Sequence, residues 1–145
     1  MNKNTKDSIF IFNCYFDHIG KISQKMSSKL ILKKIKEFGL IERRVIVMGD
    51  LNCESQDESI QIFREELDDA FEISEKPHYG PLGTYNDFNN NLIVKERIDY
   101  ILTNNLKVVS YRHIDDRRKN NLHISDHFPV LVEITNTTVN KGYTQ

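Results

Sequence analysis

Three short stretches place chemically capable side chains where apolar runs stop or start. In VIVMGDLNCE (45–54), the apolar run from Val45 to Met48 ends in Gly49, Asp50, Leu51 and Asn52. In extended chain, residues i and i+2 leave on the same side, so Asp50 and Asn52 are expected to project together from the strand's carboxyl end. Open α/β sheets collect ligands at that end. In RIDYIL (97–102), Ile98, Tyr100 and Leu102 alternate with Arg97, Asp99 and Ile101, which turns Asp99 away from the aromatic side. In SDHFPV (125–130), Asp126 and His127 stand just before an apolar strand. Each stretch also has a plain reading: an Asp/Asn-rich turn, a surface strand with an Arg97–Asp99 pair, and a polar turn whose Asp126 caps a backbone group. Together, however, they hold the ingredients of phosphoester hydrolysis. One carboxylate can hold a metal-bound or attacking water, and an imidazole can bind or protonate a phosphoryl oxygen. A second carboxylate can orient that imidazole, and an amide can donate to a phosphate oxygen.

The elements that must position these groups follow from periodicity. SIFIFNCYF (8–16) reads as a buried strand. From Ile22 to Phe38, apolar residues recur every three or four positions (Ile22, Met26, Leu30, then Ile31, Ile35, Phe38) with lysines between, which predicts an amphipathic helix stopped by Gly39. Residues 44–48 form the next strand. SQDE (55–58) has the form of a capping box, and Ile60, Phe63 and Leu67 give the following helix its apolar face. Residues 74–96 show no period and carry two prolines and two glycines in KPHYGPLGTYNDFNNN, a connection long enough to suggest function. Within it, His78, Tyr79 and Tyr85 are either contacts for a leaving group or anchors of a surface loop. Strands are expected at 96–102, 106–112 and 128–134, with TNN (103–105) as a tight turn between the first two. The order β-α-β-α, long loop, then three β implies an α/β fold: a mixed sheet with helices on one face, in a domain over 1–134 followed by a polar tail, 135–145.

Bulk numbers bound the function. A chain of 145 residues points to one domain, and 39% hydrophobic with 28% charged residues is ordinary globular composition. Lys+Arg 20 against Asp+Glu 21 leaves a net charge of -1, so contact with phosphate is expected to be local, and long duplex DNA is disfavoured as a substrate. The basic run RHIDDRRK (112–119) encloses Asp115 and Asp116 and reads as a solvated loop. Cys14 and Cys53 give no disulfide framework and no metal-ligand spacing, which favours two reduced thiols and a cytoplasmic setting. No stretch is apolar enough to span a membrane, and the polar start MNKNTKDS is unlike a signal peptide.

VIVMGDLN, RIDYIL and SDHFPVLVEI, in that order, resemble the carboxyl-terminal half of the endonuclease/exonuclease/phosphatase superfamily. That group includes pancreatic-type deoxyribonucleases, abasic-site endonucleases, inositol polyphosphate 5-phosphatases and bacterial sphingomyelinases. FIFNCYFDHIG is similar to the family's Asn-Thr-His-Leu-Asp-His stretch, and GPLGTYNDF to its Gly-Thr-Phe/Tyr loop. The resemblance runs from about Ile9 to Ile134 and implies half of a four-layer α/β/β/α sandwich. It implies that Asp50 activates the attacking water, that Asn52 contacts the phosphate, and that Asp99 orients His127. His127 would hold a non-bridging phosphoryl oxygen, and Asp126 would help hold Mg²⁺ (or Mn²⁺). Tyr15 stands where the family often has His, as in the abasic-site endonuclease branch, and its hydroxyl would touch phosphate. The family's main metal ligand, a Glu in its amino-terminal half, has no counterpart in this chain. The resemblance therefore implies a metal-dependent phosphoester hydrolase acting on nucleic acid or a phosphorylated small molecule or lipid. The missing half would be its partner. The alternative is an inactive truncated remnant that serves only as a binding or assembly piece.

Overall fold

The computed structural model describes residues 8–135; the polar leader and the tail from residue 136 onward lie outside the described residues. Nine elements follow in order. They are β1 (Ile9–Tyr15), α1 (Lys21–Glu37), β2 (Arg44–Asp50), α2 (Glu58–Arg64), β3 (Asp68–Asp69), α3 (Ala70–Ile73), β4 (Asp99–Asn104), β5 (Lys107–His113) and β6 (Val130–Thr135). The expected α/β architecture is present. A four-stranded mixed sheet runs β1-β2-β4-β3, with β1 and β2 parallel and the other neighbours antiparallel. β5 and β6 form a separate antiparallel pair.

Alternation assigns the faces. Val45, Val47, Tyr100 and Leu102 pack with Leu32 and Ile35 of α1 and Ile60 and Phe63 of α2 in one buried cluster, so both helices cover one face. The opposite face carries Asp50 and Asp99, which are register partners, together with Ile101, which packs with β5 and β6. Both carboxylates thus leave the sheet on the side away from the helices.

Several expectations need correction. β1 is an edge strand, not a buried one: Ile11 and Tyr15 are exposed while Phe10 and Phe12 pack into the helix-side core. α1 does not bury Ile22, Met26 and Leu30, which are 81%, 57% and 54% exposed; it buries Gln24, Ser28, Leu32 and Ile35. The seat of α1 is polar at its first turns because the Gln24 amide donates to the Asp17 and Asn52 carbonyls. Gly39 does stop the helix: at φ 65° it lets Leu40 N–H reach the Ile35 carbonyl. The capping box at Ser55 does not form. The N-cap of α2 is Asp57, whose carboxylate takes the Glu54 N–H and the Lys21 ammonium instead.

Residues 103–105 do not close a hairpin either. The Asn104 and Asn105 amides bond to the Ile41 carbonyl, Asn105 also to that of Arg43, and the chain crosses to the second sheet. β3 and α3 escape the periodicity because they are two and four residues long. Asp69 caps α3 and also grips the guanidinium of Arg97 at 3.0 and 2.6 Å, so the Arg97–Asp99 surface pair is not the one formed. β6 extends to Thr135, one residue into the stretch read as tail.

Candidate active site

β2 brings Asp50 to the sheet's open end through a glycine. Gly49 sits at φ 134°, and a Cβ there would meet the Cys14 carbonyl oxygen at 1.9 Å, so only glycine lets β1 stay paired at this point. Beyond Asp50 the strand does not continue. Asn52 adopts a left-handed conformation (φ 49°), its N–H donates to Asp50 Oδ1 at 2.9 Å, and its side-chain amide donates to the Phe16 carbonyl. The same-side projection expected from an extended chain is therefore replaced by an Asx turn. Asn52 stands beside Asp50 by this turn, with part of its donor capacity already used.

Asp99 opens β4, directly across from Asp50. His127 lies just before β6 and joins the two carboxylates: its Nδ1 is 2.8 Å from Asp99 Oδ2, and its Nε2 is 4.0 Å from Asp50 Oδ2. Asp126 follows Ser125, whose hydroxyl lies 3.3 Å from its carboxylate, and the charge of Asp126 is felt at both Asp50 and His127. It does not cap a backbone group through its side chain; its own carbonyl accepts from Asn86 N–H at 2.7 Å. Tyr15 is the register partner of Asp50 on the edge strand, and its ring is 79% exposed. Among the described residues Tyr15 is not packed into the core.

The electrostatics are asymmetric. Burial pushes the Asp50 carboxyl above its ordinary range; the Asn52 N–H opposes this, and the charge of Asp99 adds to it. For His127, burial works against the cation. The Asp99 hydrogen bond and the charges of Asp99, Asp50 and Asp126 outweigh it, so its pKa is raised. In its protonated form, with Nδ1 tied to Asp99, this imidazole can present Nε2–H to an anionic oxygen. A cleft of about 390 Å³ opens beside it, lined by Asn13, Met48, Asp99, Ile101, His127 and Pro129 among others.

The long loop supplies what the sequence reading missed. Thr84 and Asn86 are fully buried polar residues. The Thr84 hydroxyl accepts from Ile98 and Asp99 N–H, and the Asn86 side chain donates to the Ser125 carbonyl. No period marks burial in a loop; the one signal is the likeness of GPLGTYNDF to a Gly-Thr-Phe/Tyr loop, which assigns neither residue a role. Of the three loop residues considered for a leaving group, Tyr85 alone is at the site, its ring edge-on to His127 at 5.2 Å. His78 packs against Phe71, 4.9 Å away, and Tyr79 bridges to Arg112.

Among the described residues, no group of three or more His, Cys, Asp or Glu side chains is placed to hold a metal ion. The described residues do not make a metal centre by themselves. Cys14 and Cys53 are free thiols, and no described helix is long and apolar enough to cross a membrane.

A model of the Endonuclease/Exonuclease/phosphatase family matches residues 28–127. Among solved structures, an endonuclease/exonuclease/phosphatase family protein from Bacteroides thetaiotaomicron is 32% identical with a TM-score of 0.77, over 86% of this chain and 48% of that one. A mannosyl-6-phosphatase from Bacteroides thetaiotaomicron VPI-5482 is also 32% identical, with a TM-score of 0.78 over 86% and 50%. A functionally unknown conserved protein from Enterococcus faecalis V583 is 28% identical, with a TM-score of 0.78 over 86% and 49%. The chain thus spans about half the length of the solved structures it matches. No curated protein matches it.

Proposed function

The chain belongs to the endonuclease/exonuclease/phosphatase family, and from that premise we propose that its strand-end cluster hydrolyses a phosphoester by direct attack of water. The observation that carries this reading is the single imidazole shared between two register-paired carboxylates, 2.8 Å from Asp99 and 4.0 Å from Asp50. In the proposed reaction, Asp50 orients the water and accepts its proton as the new phosphorus–oxygen bond forms. Its raised pKa suits a base that must take up a proton. His127, oriented by Asp99, binds a non-bridging phosphoryl oxygen through Nε2–H and stabilises the charge that builds there. The bond to the leaving oxygen breaks, and that oxygen departs with a proton from solvent. Asn52 offers its remaining amide hydrogen to the phosphate, and Tyr15 reaches it with its hydroxyl from the edge strand. Because the donor set falls short of a metal centre, Asp126 is assigned only one oxygen ligand of Mg²⁺ or Mn²⁺. The other ligands come from outside the described residues, and a lone carboxylate holds Mg²⁺ weakly.

A second reading, a binding or assembly piece without turnover, draws on the same shortage of metal ligands. The two separate in one assay of aryl phosphomonoester and phosphodiester hydrolysis with Mg²⁺ or Mn²⁺. It compares the chain alone with a polypeptide that adds the length of the relatives this chain does not span. The hydrolase reading expects weak turnover from the chain alone. In the longer polypeptide it expects strong metal-dependent turnover that Asp50→Ala and His127→Ala abolish. Equal rates for folded wild type and Asp50→Ala overturn it.

A further inference from the structure

We propose that Thr84 is a positioning residue that sets the spacing between Asp99 and His127 by binding both of their backbone segments at once; this rests on the hydrolytic role proposed for that pair. Thr84 is wholly buried yet makes no contact with the cleft. Its hydroxyl oxygen, with two lone pairs, accepts from Ile98 N–H at 3.1 Å and Asp99 N–H at 3.2 Å. Its carbonyl accepts from Phe128 N–H at 2.8 Å, and its own N–H donates to the Glu96 carbonyl at 2.8 Å. One residue therefore fixes the backbone of Asp99 on one side and the backbone next to His127 on the other. The Ile98 carbonyl in turn accepts from Leu51 N–H at 2.9 Å, which carries the same restraint to the residue after Asp50.

Close approach makes this possible. A Cβ at Gly83 would lie 2.5 Å from both the nitrogen and the oxygen of Glu96, so the loop can press Thr84 against β4 only with glycine before it. Two residues on, Asn86 repeats the pattern toward Ser125 and Asp126, through its side-chain amide at 3.0 Å and its N–H at 2.7 Å. The loop is thus bonded to both sides of the Asp99–His127 contact, and the Thr84 hydroxyl is the group that ties it by hydrogen bonds to Ile98 and the first residue of β4. Without that oxygen, the buried Ile98 N–H and the partly buried Asp99 N–H lose their acceptor, and β4 regains freedom to shift relative to His127.

The test reads the His127 ring directly and needs no turnover, so it can fail while the hydrolase reading stands, and the reverse. In the ¹⁵N-labelled chain, at a pH above the point where the ring's own ¹⁵N shifts show it to have lost its extra proton, His127 should stand almost wholly as the Nδ1–H tautomer donating to Asp99. Thr84→Val, which keeps shape and removes the hydroxyl, should lower the Nδ1–H to Nε2–H ratio by roughly tenfold. The amides of Val45, Val47, Ile60 and Phe63 should stay protected. Thr84→Ser should restore the wild-type ratio, which mere filling of space by the side chain would not explain. An unchanged ratio in folded Thr84→Val, or no restoration in folded Thr84→Ser, overturns the proposal. If Thr84→Val does not fold, the wild type decides: free exchange of the Ile98 and Asp99 amides overturns it, and protection matching Leu102 supports it.

Discussion

Asp50 and Asp99 face each other as register partners across the β2–β4 ladder, on the sheet face that the helices leave uncovered. Burial, with the charge of Asp99 adding to it, raises the Asp50 carboxyl, and the two side chains take different partners. Asp99 takes the imidazole of His127, and Asp50 takes the N–H of Asn52. The result is an Asp99 whose carboxylate is bonded to Nδ1 of His127 and an Asp50 left with an oxygen facing Nε2 at 4.0 Å.

That division of labour predicts the effect of Asp99→Ala. The imidazole loses its hydrogen-bond partner and the larger part of what favours its cation, while Asp50 keeps its own turn. In a hydrolytically competent polypeptide, kcat should fall roughly a hundredfold or more, with unfolding in denaturant little changed. A rate within about twofold of wild type, far short of the loss expected when an acid–base group is misoriented, would remove the orienting role from Asp99.

Gly49→Ala tests the strand end that presents Asp50. The new methyl carbon would fall 1.9 Å from the Cys14 carbonyl at a backbone angle of φ 134°, so the β1–β2 ladder must open at its last pairs. Denaturant unfolding should show a loss of about 2 kcal/mol or more. The amides of Tyr15 and Phe16 should lose protection before those of Val45 and Val47. Stability equal to wild type would mean that β1 is not held at that point.

The strands that carry the site were legible because apolar runs ending in polar residues survive translation into a sheet: VIVMGD and RIDYIL became β2 and β4 with Asp50 and Asp99 at matching ends. The face of α1 was not legible, because hydrophobic spacing alone cannot tell which of two stripes is seated. Ile22, Met26 and Leu30 have the right period, but the buried stripe contains Gln24 and Ser28, residues whose burial depends on carbonyls distant in sequence. Asn52 was misread for a related reason: alternation holds only while the chain stays extended, and here it turns after Asp50. Thr84 and Asn86 fell inside GPLGTYNDF, the stretch that resembles the family's Gly-Thr-Phe/Tyr loop, but drew no role, because a loop without period gives no signal of burial.

The α1 assignment yields a paired prediction. Met26→Glu and Leu30→Glu should each shift stability by no more than about 0.5 kcal/mol, since both side chains already face water. Gln24→Ala should cost about 1–3 kcal/mol, because the Asp17 and Asn52 carbonyls lose their shared donor. Thermal or denaturant unfolding of the three variants checks it; a large loss from Met26→Glu with none from Gln24→Ala would reverse the assignment of the helix faces.

His113 predicts a pH dependence away from the cleft. It is fully buried, with Nδ1 2.7 Å from the Pro81 carbonyl and Nε2 3.0 Å from the Tyr111 hydroxyl. Nδ1 faces a carbonyl and must donate to it, and a neutral imidazole then has Nε2 available to accept from the Tyr111 hydroxyl. Burial holds its pKa below the ordinary value; the Pro81 carbonyl opposes this, and the charge of Arg97 adds to it. The folded state therefore binds a proton less readily than the unfolded chain, and stability must fall as pH drops below about 6.5. The loss continues until the folded value is reached, at no more than about 1.4 kcal/mol per pH unit. His127, whose pKa is raised, contributes the opposite slope, so the wild-type curve alone does not isolate the effect. The difference between wild type and His113→Asn does: it should shrink steadily from about pH 7 to about pH 5 as the wild type loses its advantage. A difference that stays flat across that window would mean His113 is not buried as the neutral form.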